Sequence, residues 1–293
     1  MRNKKNILYI GNCQTAAIKH ILNLDHNFYN ETYIAVHDRI ENNTIDQLIL
    51  DSDIIITQQI FENYGNASTK HLVLTKKPST TLIIFPSCYM KLYYFDTSYY
   101  YHNNQQLTEP SHYHYHSIVN SFLNKKTKKY CIENFIDNKN LKTYDELNNI
   151  LQEDIEQLYI RYNKIKQILY DNPKTYQIDI CNFISHNAKH KLLFYSFNHP
   201  TQILLKYIVD KILDILNINT QISNNMDVLS QPKSILYSCL TNILEFNIDN
   251  HKPAILDNTT LEEIINLYFE SYTHTGLSNE SSKAGSYRIP FAI

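Results

Sequence analysis

The tetrapeptide GNCQ, from Gly11 to Gln14, stands where an apolar run ends and a helical pattern begins. The preceding NILYIG is rich in β-branched and aromatic residues, and TAAIKHILNL follows with apolar residues at helical spacing. Cys13 is therefore predicted on a strand-to-helix turn, among free backbone N–H groups and at the positive end of a helix dipole. These groups favour a thiolate and offer an oxyanion hole, so the pattern predicts a nucleophile. A buried cysteine that packs as a small apolar residue is the alternative.

A second polar element, SFNHPTQILL, carries Asn198 and His199 just before a helix with Pro200 in its first turn. A cysteine and a histidine far apart in sequence are the usual form of a thiol catalytic pair. His199 is thus a candidate general base, although a polar loop residue is the alternative when it is considered alone. Asp179 is a candidate carboxylate for orienting His199, but the sequence does not place it within bonding reach.

Two further polar patterns could carry chemistry. Gln58 ends the apolar run DIIITQQI, where its amide could face a developing oxyanion or bond to nearby backbone. His112, His114 and His116 alternate in HYHYH, but no carboxylate or cysteine completes a metal-ligand set. We expect no metal site. With only 4 glycines in the chain, a glycine-rich phosphate loop is excluded.

The elements that must position these residues form two parts. Four short apolar runs, NILYIG, YIAVHD, DIIITQQI and TTLIIFP, alternate with helical patterns, which is typical of a parallel sheet. After residue 100 helical patterns dominate. The predicted fold class is α/β, a small parallel sheet with flanking helices in three layers, similar to SGNH or Rossmann folds, with a helix-rich second half. We predict one domain over 1–293, with a helix-rich subregion at about 100–175 and a C-terminal helical extension at about 230–293.

Charge and composition limit the classes of partner. The 293 residues carry a net charge of −2 with a pI near 6.7, so no overall field favours nucleic acid. The short basic run KKTKK, at 125–129, is interpreted as a solvated loop. No run approaches the roughly 20 apolar residues of a membrane span, and no signal peptide is predicted. Five cysteines without a C-x-x-C pair are typical of a reducing compartment, so we expect a cytoplasmic protein.

Several of these stretches, in this order, resemble the WcbI family of capsular polysaccharide biosynthesis enzymes. They are GNCQ, DIIITQ, FPSCYMKLYYFD, HYHS, IDICNFI and LLFYSFNHPT, and the resemblance runs from Ile7 to Leu216. The resemblance implies an acetyltransferase that binds coenzyme A and acetylates a sugar. It also implies an α/β fold distantly like that of the SGNH esterases, with cysteine in place of serine.

Carried over position by position, the resemblance implies roles for a set of residues. It implies catalytic roles for Cys13, His199, Gln58 and Asn12, and cofactor contacts for Gly11, Gln14, His116 and Asn198. Arg161 is our candidate partner for the phosphates of coenzyme A, because phosphates need cations. Ser87 follows Pro86 at a position where the family commonly has Asn. The resemblance therefore does not extend to a side-chain amide that contacts a ligand at this position.

The sequence therefore predicts a Cys/His acetyltransferase that uses acetyl-CoA, or coenzyme A, as substrate. The acyl donor is a small molecule, and the acceptor is a hydroxyl of a sugar, glycan or glycan precursor in capsular or surface polysaccharide biosynthesis. A thioesterase or esterase with the same pair is one alternative. A non-catalytic module that binds coenzyme A or a glycan is the other.

Overall fold

The computed structural model describes residues 4–38, 40–168, 172–219, 222, 227–230, 234–248, 260–278 and 282–284. The chain divides into two compact units. The first comprises Met1–Tyr89, Ile155–Asn187 and His199–Leu229, and the second comprises Met90–Asp154, Ala188–Asn198 and Ser230–Ile293. The single domain predicted over 1–293 stays a prediction.

Strands and helices alternate along the first part of the chain, and helices dominate after it. The strands are β1 (Lys5–Gly11), β2 (Tyr29–Ala35), β3 (Ile54–Gln58), β4 (Thr81–Phe85), β5 (Thr97–Ser98), β6 (Tyr100–His102), β7 (Gln105–Gln106), β8 (His114–Tyr115), β9 (Thr175–Gln177), β10 (Phe194–Ser196), β11 (His199–Pro200) and β12 (Ser282–Ala284). The helices are α1 (Cys13–Leu22), α2 (Asn42–Asp51), α3 (Thr69–Thr75), α4 (His116–Leu123), α5 (Lys128–Cys131), α6 (Tyr144–Ile168), α7 (Cys181–Asn187), α8 (Gln202–Leu216) and α9 (Leu261–Thr275). None of the helices in these described ranges is long and apolar enough to cross a membrane.

The first unit contains a five-stranded sheet in the order β2-β1-β3-β4-β9. All of its neighbouring strands pair in parallel. The runs NILYIG, DIIITQQI and TTLIIFP form β1, β3 and β4, whereas β2 begins four residues before YIAVHD and ends within it at Ala35. The predicted parallel sheet with flanking helices is confirmed. Strands β3 and β4 are buried almost along their whole length, as expected where helices cover both faces of a parallel sheet.

The two faces of this sheet have different helical partners. On one face, helices α2 and α3 pack on alternate residues of the central strands in a single apolar cluster. The cluster includes Leu8 and Ile10 of β1, Ile55 of β3, Leu82 and Ile84 of β4, Ile45 and Ile49 of α2, and Leu72 and Val73 of α3. Helix α1 packs against β1, β3 and α8. The helix that carries Cys13 at its first position is therefore fixed by a large buried core.

The second unit is built on short antiparallel pairs and helices. Strand β5 pairs with β8, and β6 pairs with β7 and β12. Helix α4 packs against α5 and α9. Its N-terminus is held by Asp96, whose carboxylate accepts from the backbone and hydroxyl of Ser117 and from the hydroxyl of Tyr237. Helix α9 begins with a capping box formed by Thr260 and Glu263.

Gly11→Ala tests how tightly the end of β1 is packed. A Cβ at Gly11 would lie 1.9 Å from Thr15 Oγ1 and 2.6 Å from Thr15 Cβ, so rotating the hydroxyl does not remove the clash. We expect a loss of roughly 1–3 kcal/mol in the free energy of unfolding, measured by urea denaturation. At Gly276 a Cβ meets no atom within 4 Å and only the left-handed φ of 67° opposes it. Gly276→Ala should therefore cost about 1 kcal/mol, and an equal or smaller loss for Gly11→Ala would contradict this packing.

Candidate active site

Cys13 is the first residue of α1 and directly follows the carboxyl end of β1. The residue before it, Asn12, caps the helix, because its Oδ1 accepts a hydrogen bond of 2.9 Å from the backbone N–H of Gln14. Of the five cysteines, Cys13 alone is half-buried and the other four are buried. It is thus the one thiol in the chain that a bound molecule can reach without opening the core.

The turn that carries Cys13 is held from two neighbouring strands. Gln58 Oε1, at the end of β3, accepts from the backbone N–H of Asn12 at 3.1 Å and from Thr15 Oγ1 at 3.3 Å. From β2, the Tyr33 hydroxyl lies 3.2 Å from the carbonyl oxygens of both Gly11 and Asn12. The sequence analysis did not single out Tyr33. In the parallel pairing of β1 with β2, Tyr33 lies opposite Tyr9.

The side chain of Gln14 is buried and bonds to the backbone of Cys88. It is fully buried, its Nε2 donates to the carbonyl of Cys88 at 2.8 Å, and its Oε1 accepts from the backbone N–H of Cys88 at 3.0 Å. The predicted contact between Gln14 and a cofactor stays a prediction. The role that the geometry gives this side chain is to hold the segment after β4 against the turn.

One side-chain amide that holds the Cys13 turn has an unused donor. The Nε2 of Gln58 is buried and has no hydrogen-bond partner in the described part of the chain. Its orientation is set by Asn12 N–H, which needs the oxygen rather than the nitrogen of the amide. A buried donor without a partner costs roughly 1–3 kcal/mol, so such a group in a native fold calls for a ligand or an ordered water.

Burial decides the protonation of both predicted catalytic residues. It raises the pKa of the Cys13 thiol, while hydrogen bonds from the backbone N–H groups of Gln14 and Cys13 act in the lowering direction and are outweighed. The expected depression of the Cys13 pKa is therefore wrong for the ligand-free protein. Burial also lowers the pKa of His199 to about 4, so its imidazole is neutral at pH 7.

His199 lies in the first unit, three residues before α8. Because α8 packs against α1, the two predicted catalytic residues sit at or near the N-terminal ends of two helices in contact. Hydrogen bonding between Cys13 and His199 stays a prediction. Asp179, the candidate for orienting His199, caps α7 by accepting 2.8 Å from the backbone N–H of Cys181.

The remaining predicted residues lie in other surroundings. Arg161 is 6% exposed, with its guanidinium 5.9 Å from the centre of the Tyr89 ring, so it offers little surface to a phosphate. His116 and Asn198 belong to the second unit. There His116 Nδ1 bonds to the Tyr100 hydroxyl, and Asn198 Oδ1 accepts from Tyr113 at 2.8 Å. Their predicted contacts with a cofactor stay predictions.

Two other observations concern ligands. The Ser87 hydroxyl is buried and donates to the carbonyl of Gln59 at 3.1 Å, so it serves the backbone after β3. Among the residues that the structure describes, no group of three or more His, Cys, Asp or Glu side chains is placed to hold a metal ion.

These features define an α/β protein with a cysteine on the first strand-to-helix turn of a parallel sheet. The family of the polysaccharide biosynthesis enzyme WcbI matches residues 6–221, and the chain belongs to this family. A solved structure of WcbI, described as a novel polysaccharide biosynthesis enzyme, superposes with a TM-score of 0.73 at 19% identity, covering 93% of this chain and 91% of that one. That structure is described as native protein without a disulfide bond between coenzyme A and a cysteine. No curated protein matches the chain.

The pH dependence of Cys13 alkylation by iodoacetamide tests whether burial, which raises the pKa of the thiol, outweighs the backbone N–H groups, which lower it. Because burial raises the pKa of this thiol, the alkylation rate should still be climbing above pH 9 and should show no plateau near neutrality. Mass spectrometry identifies the labelled cysteine, and Cys13→Ser should remove the fast label, since the other four thiols are buried. A rate that levels off below pH 7 would show that the helix terminus outweighs burial.

Proposed function

We propose that this protein transfers the acetyl group of acetyl-CoA to a hydroxyl of a sugar, glycan or glycan precursor, with Cys13 and His199 as the catalytic pair. The observation that carries the proposal is the half-buried Cys13 at the first position of α1, on a turn held by Gln58, whose Nε2 is a buried donor without a partner in the described residues. Membership of the polysaccharide biosynthesis family supports a sugar acceptor. The structural relative, whose description names coenzyme A and a cysteine together, supports the donor.

The first half of the reaction forms an acetyl-cysteine. The Cys13 sulfur attacks the carbonyl carbon of the thioester while neutral His199 accepts the thiol proton. A neutral base is required because burial keeps this thiol protonated at neutral pH. The oxyanion of the tetrahedral intermediate takes hydrogen bonds from Gln58 Nε2, a buried donor without a partner in the described residues, and from the side-chain amide of Asn12. The carbon–sulfur bond to coenzyme A then breaks, and His199 returns the proton to the leaving thiolate.

The second half transfers the acetyl group. A sugar hydroxyl attacks the acetyl-cysteine while His199 accepts the hydroxyl proton, and collapse of the intermediate returns that proton to the Cys13 sulfur. The products are an acetyl ester and the original thiol. Because the pKa of His199 is about 4, the neutral base is present from about pH 5 upward. The apparent pKa of the acid limb of the kcat/KM profile should therefore lie well below the usual pKa of histidine.

Binding of the donor is the first test of this proposal. Isothermal titration with coenzyme A and with acetyl-CoA should give saturable heat with a Kd of about 1 mM or tighter. Adenosine diphosphate serves as a control for non-specific nucleotide binding. If neither coenzyme A nor acetyl-CoA gives saturable heat at millimolar concentration, the acetyl-donor assignment fails.

Substitution of the catalytic pair separates chemistry from packing. Cys13→Ser preserves volume but replaces the thiol with a far less acidic hydroxyl, so turnover should fall on the order of 10²-fold or more while coenzyme A affinity survives. His199→Ala should give a comparable loss, and the double variant should be little worse than either. Cys181 is the matched control because it is also the first residue of a helix, α7, yet is buried.

Cys181→Ser should leave turnover near that of the wild type. Following coenzyme A release with and without a sugar distinguishes the alternatives. Release that does not depend on a sugar would identify a hydrolase, and full turnover in folded Cys13→Ser protein would overturn the nucleophilic role.

A further inference from the structure

The second unit contains a groove that the proposed acetyl transfer does not use. It lies between the C-terminal end of α4 and α9, with a volume of about 480 Å³, within the size range of small-molecule sites. Its apolar wall consists of Phe122, Leu123, Phe269 and Leu277. The rings of Phe122 and Phe269 meet edge to face at 5.6 Å and remain half-buried, so apolar surface is left facing the groove.

Cationic side chains stand beside this apolar wall. Lys125 and Lys126 line the groove and are exposed, in a chain whose net charge is −2. Nearby Lys129 pairs with Glu133 at 3.6 Å, whereas neither Lys125 nor Lys126 makes an ion pair within the described ranges. None of the described side chains that line the groove is acidic. The groove is thus complementary to a ligand that is apolar along its length and anionic at one end.

The backbone places Lys125 in a position that normally favours glycine. Helix α4 ends in a Schellman arrangement, in which Lys126 N–H donates to the carbonyl of Ser121 and Lys125 N–H donates to that of Phe122. Lys125 takes the left-handed conformation at φ 53°. A lysine there is conformationally unfavourable relative to glycine, so what it contributes to the protein is its side chain.

We propose that this groove binds a single-chain lipid phosphate monoester, with the alkyl chain along the apolar wall and the phosphate at Lys125 and Lys126. A phosphate monoester carries close to two negative charges at pH 7, which matches two lysines, and lysine is a common phosphate partner. A single alkyl chain matches an apolar wall of four residues, whereas membrane insertion requires a broader apolar surface. Under this proposal, Lys125 and Lys126 of the KKTKK run bind an anion.

The test uses n-decyl phosphate, kept below its micelle concentration, in isothermal titration against the full chain. We expect saturable 1:1 binding, with inorganic phosphate and the neutral n-decyl maltoside each binding at least about tenfold more weakly. Lys125→Gln/Lys126→Gln should weaken binding about tenfold or more. Lys128→Gln/Lys129→Gln removes the same charge from the same segment but not from the groove, and should change affinity less than about twofold.

Lys125→Gly distinguishes lost binding from lost folding. It relieves the left-handed backbone strain, so the melting temperature should rise while the affinity for n-decyl phosphate falls. Equal binding of inorganic phosphate would overturn the proposal in favour of a free-anion site. Equal losses of affinity in the two double variants would overturn the proposal in favour of general charge attraction. Binding only to anionic phosphatidylglycerol vesicles, and not to monomeric n-decyl phosphate, would replace it with a membrane surface.

Discussion

The hydrogen bond from the backbone N–H of Asn12 to Gln58 Oε1 fixes the geometry of the candidate active site. It joins the first helix to the third strand across 46 residues of sequence and is buried. Because the amide oxygen of Gln58 is committed to this bond and to Thr15, its Nε2 is turned to a place where the described fold offers no acceptor. A Cβ at Gly11 would lie 3.1 Å from Gln58 Oε1, a tight contact that adds to the clash with Thr15.

Competition between burial and the helix terminus determines how Cys13 is activated. A helix dipole contributes typically 0.3–1 kcal/mol at an exposed end, whereas burial shifts a pKa by up to 3–5 units, and each unit is about 1.4 kcal/mol. Burial therefore prevails at Cys13. In the proposed mechanism, the cysteine is held as a thiol until His199, which is neutral at pH 7 because its pKa is low, accepts the thiol proton. Protection from oxidation follows from the same chemistry, since the thiolate is the species that oxidants attack.

The sequence predicted the elements of the sheet better than the contacts of the site. Strands β1, β3 and β4 followed from apolar runs because a strand buried on both faces has a local signature. Strand β2 is partly exposed, and the run YIAVHD predicted only its last three residues. Strand β9 has three residues and a half-exposed pattern, so no such signature marks it. Tyr33 and Cys88 contact the GNCQ turn from 22 and 74 residues away along the chain. Contacts of this kind are set by the packing of strands and have no signal in the local sequence. The direction of the Cys13 pKa shift was missed for a similar reason, because desolvation depends on every neighbour.

The paired hydrogen bonds between Gln14 and Cys88 imitate the exchange of N–H and C=O between two strands. The side chain of Gln14 thus takes the place of a neighbouring strand. The residue at this position must supply one donor and one acceptor at the distance that a glutamine side chain reaches. Glutamate lacks the donor, asparagine lacks the reach, and leucine lacks both. The need to bond both backbone groups of Cys88 is enough to restrict substitution at this position. Invariance of Gln14 among relatives would therefore not by itself be a sign of catalysis.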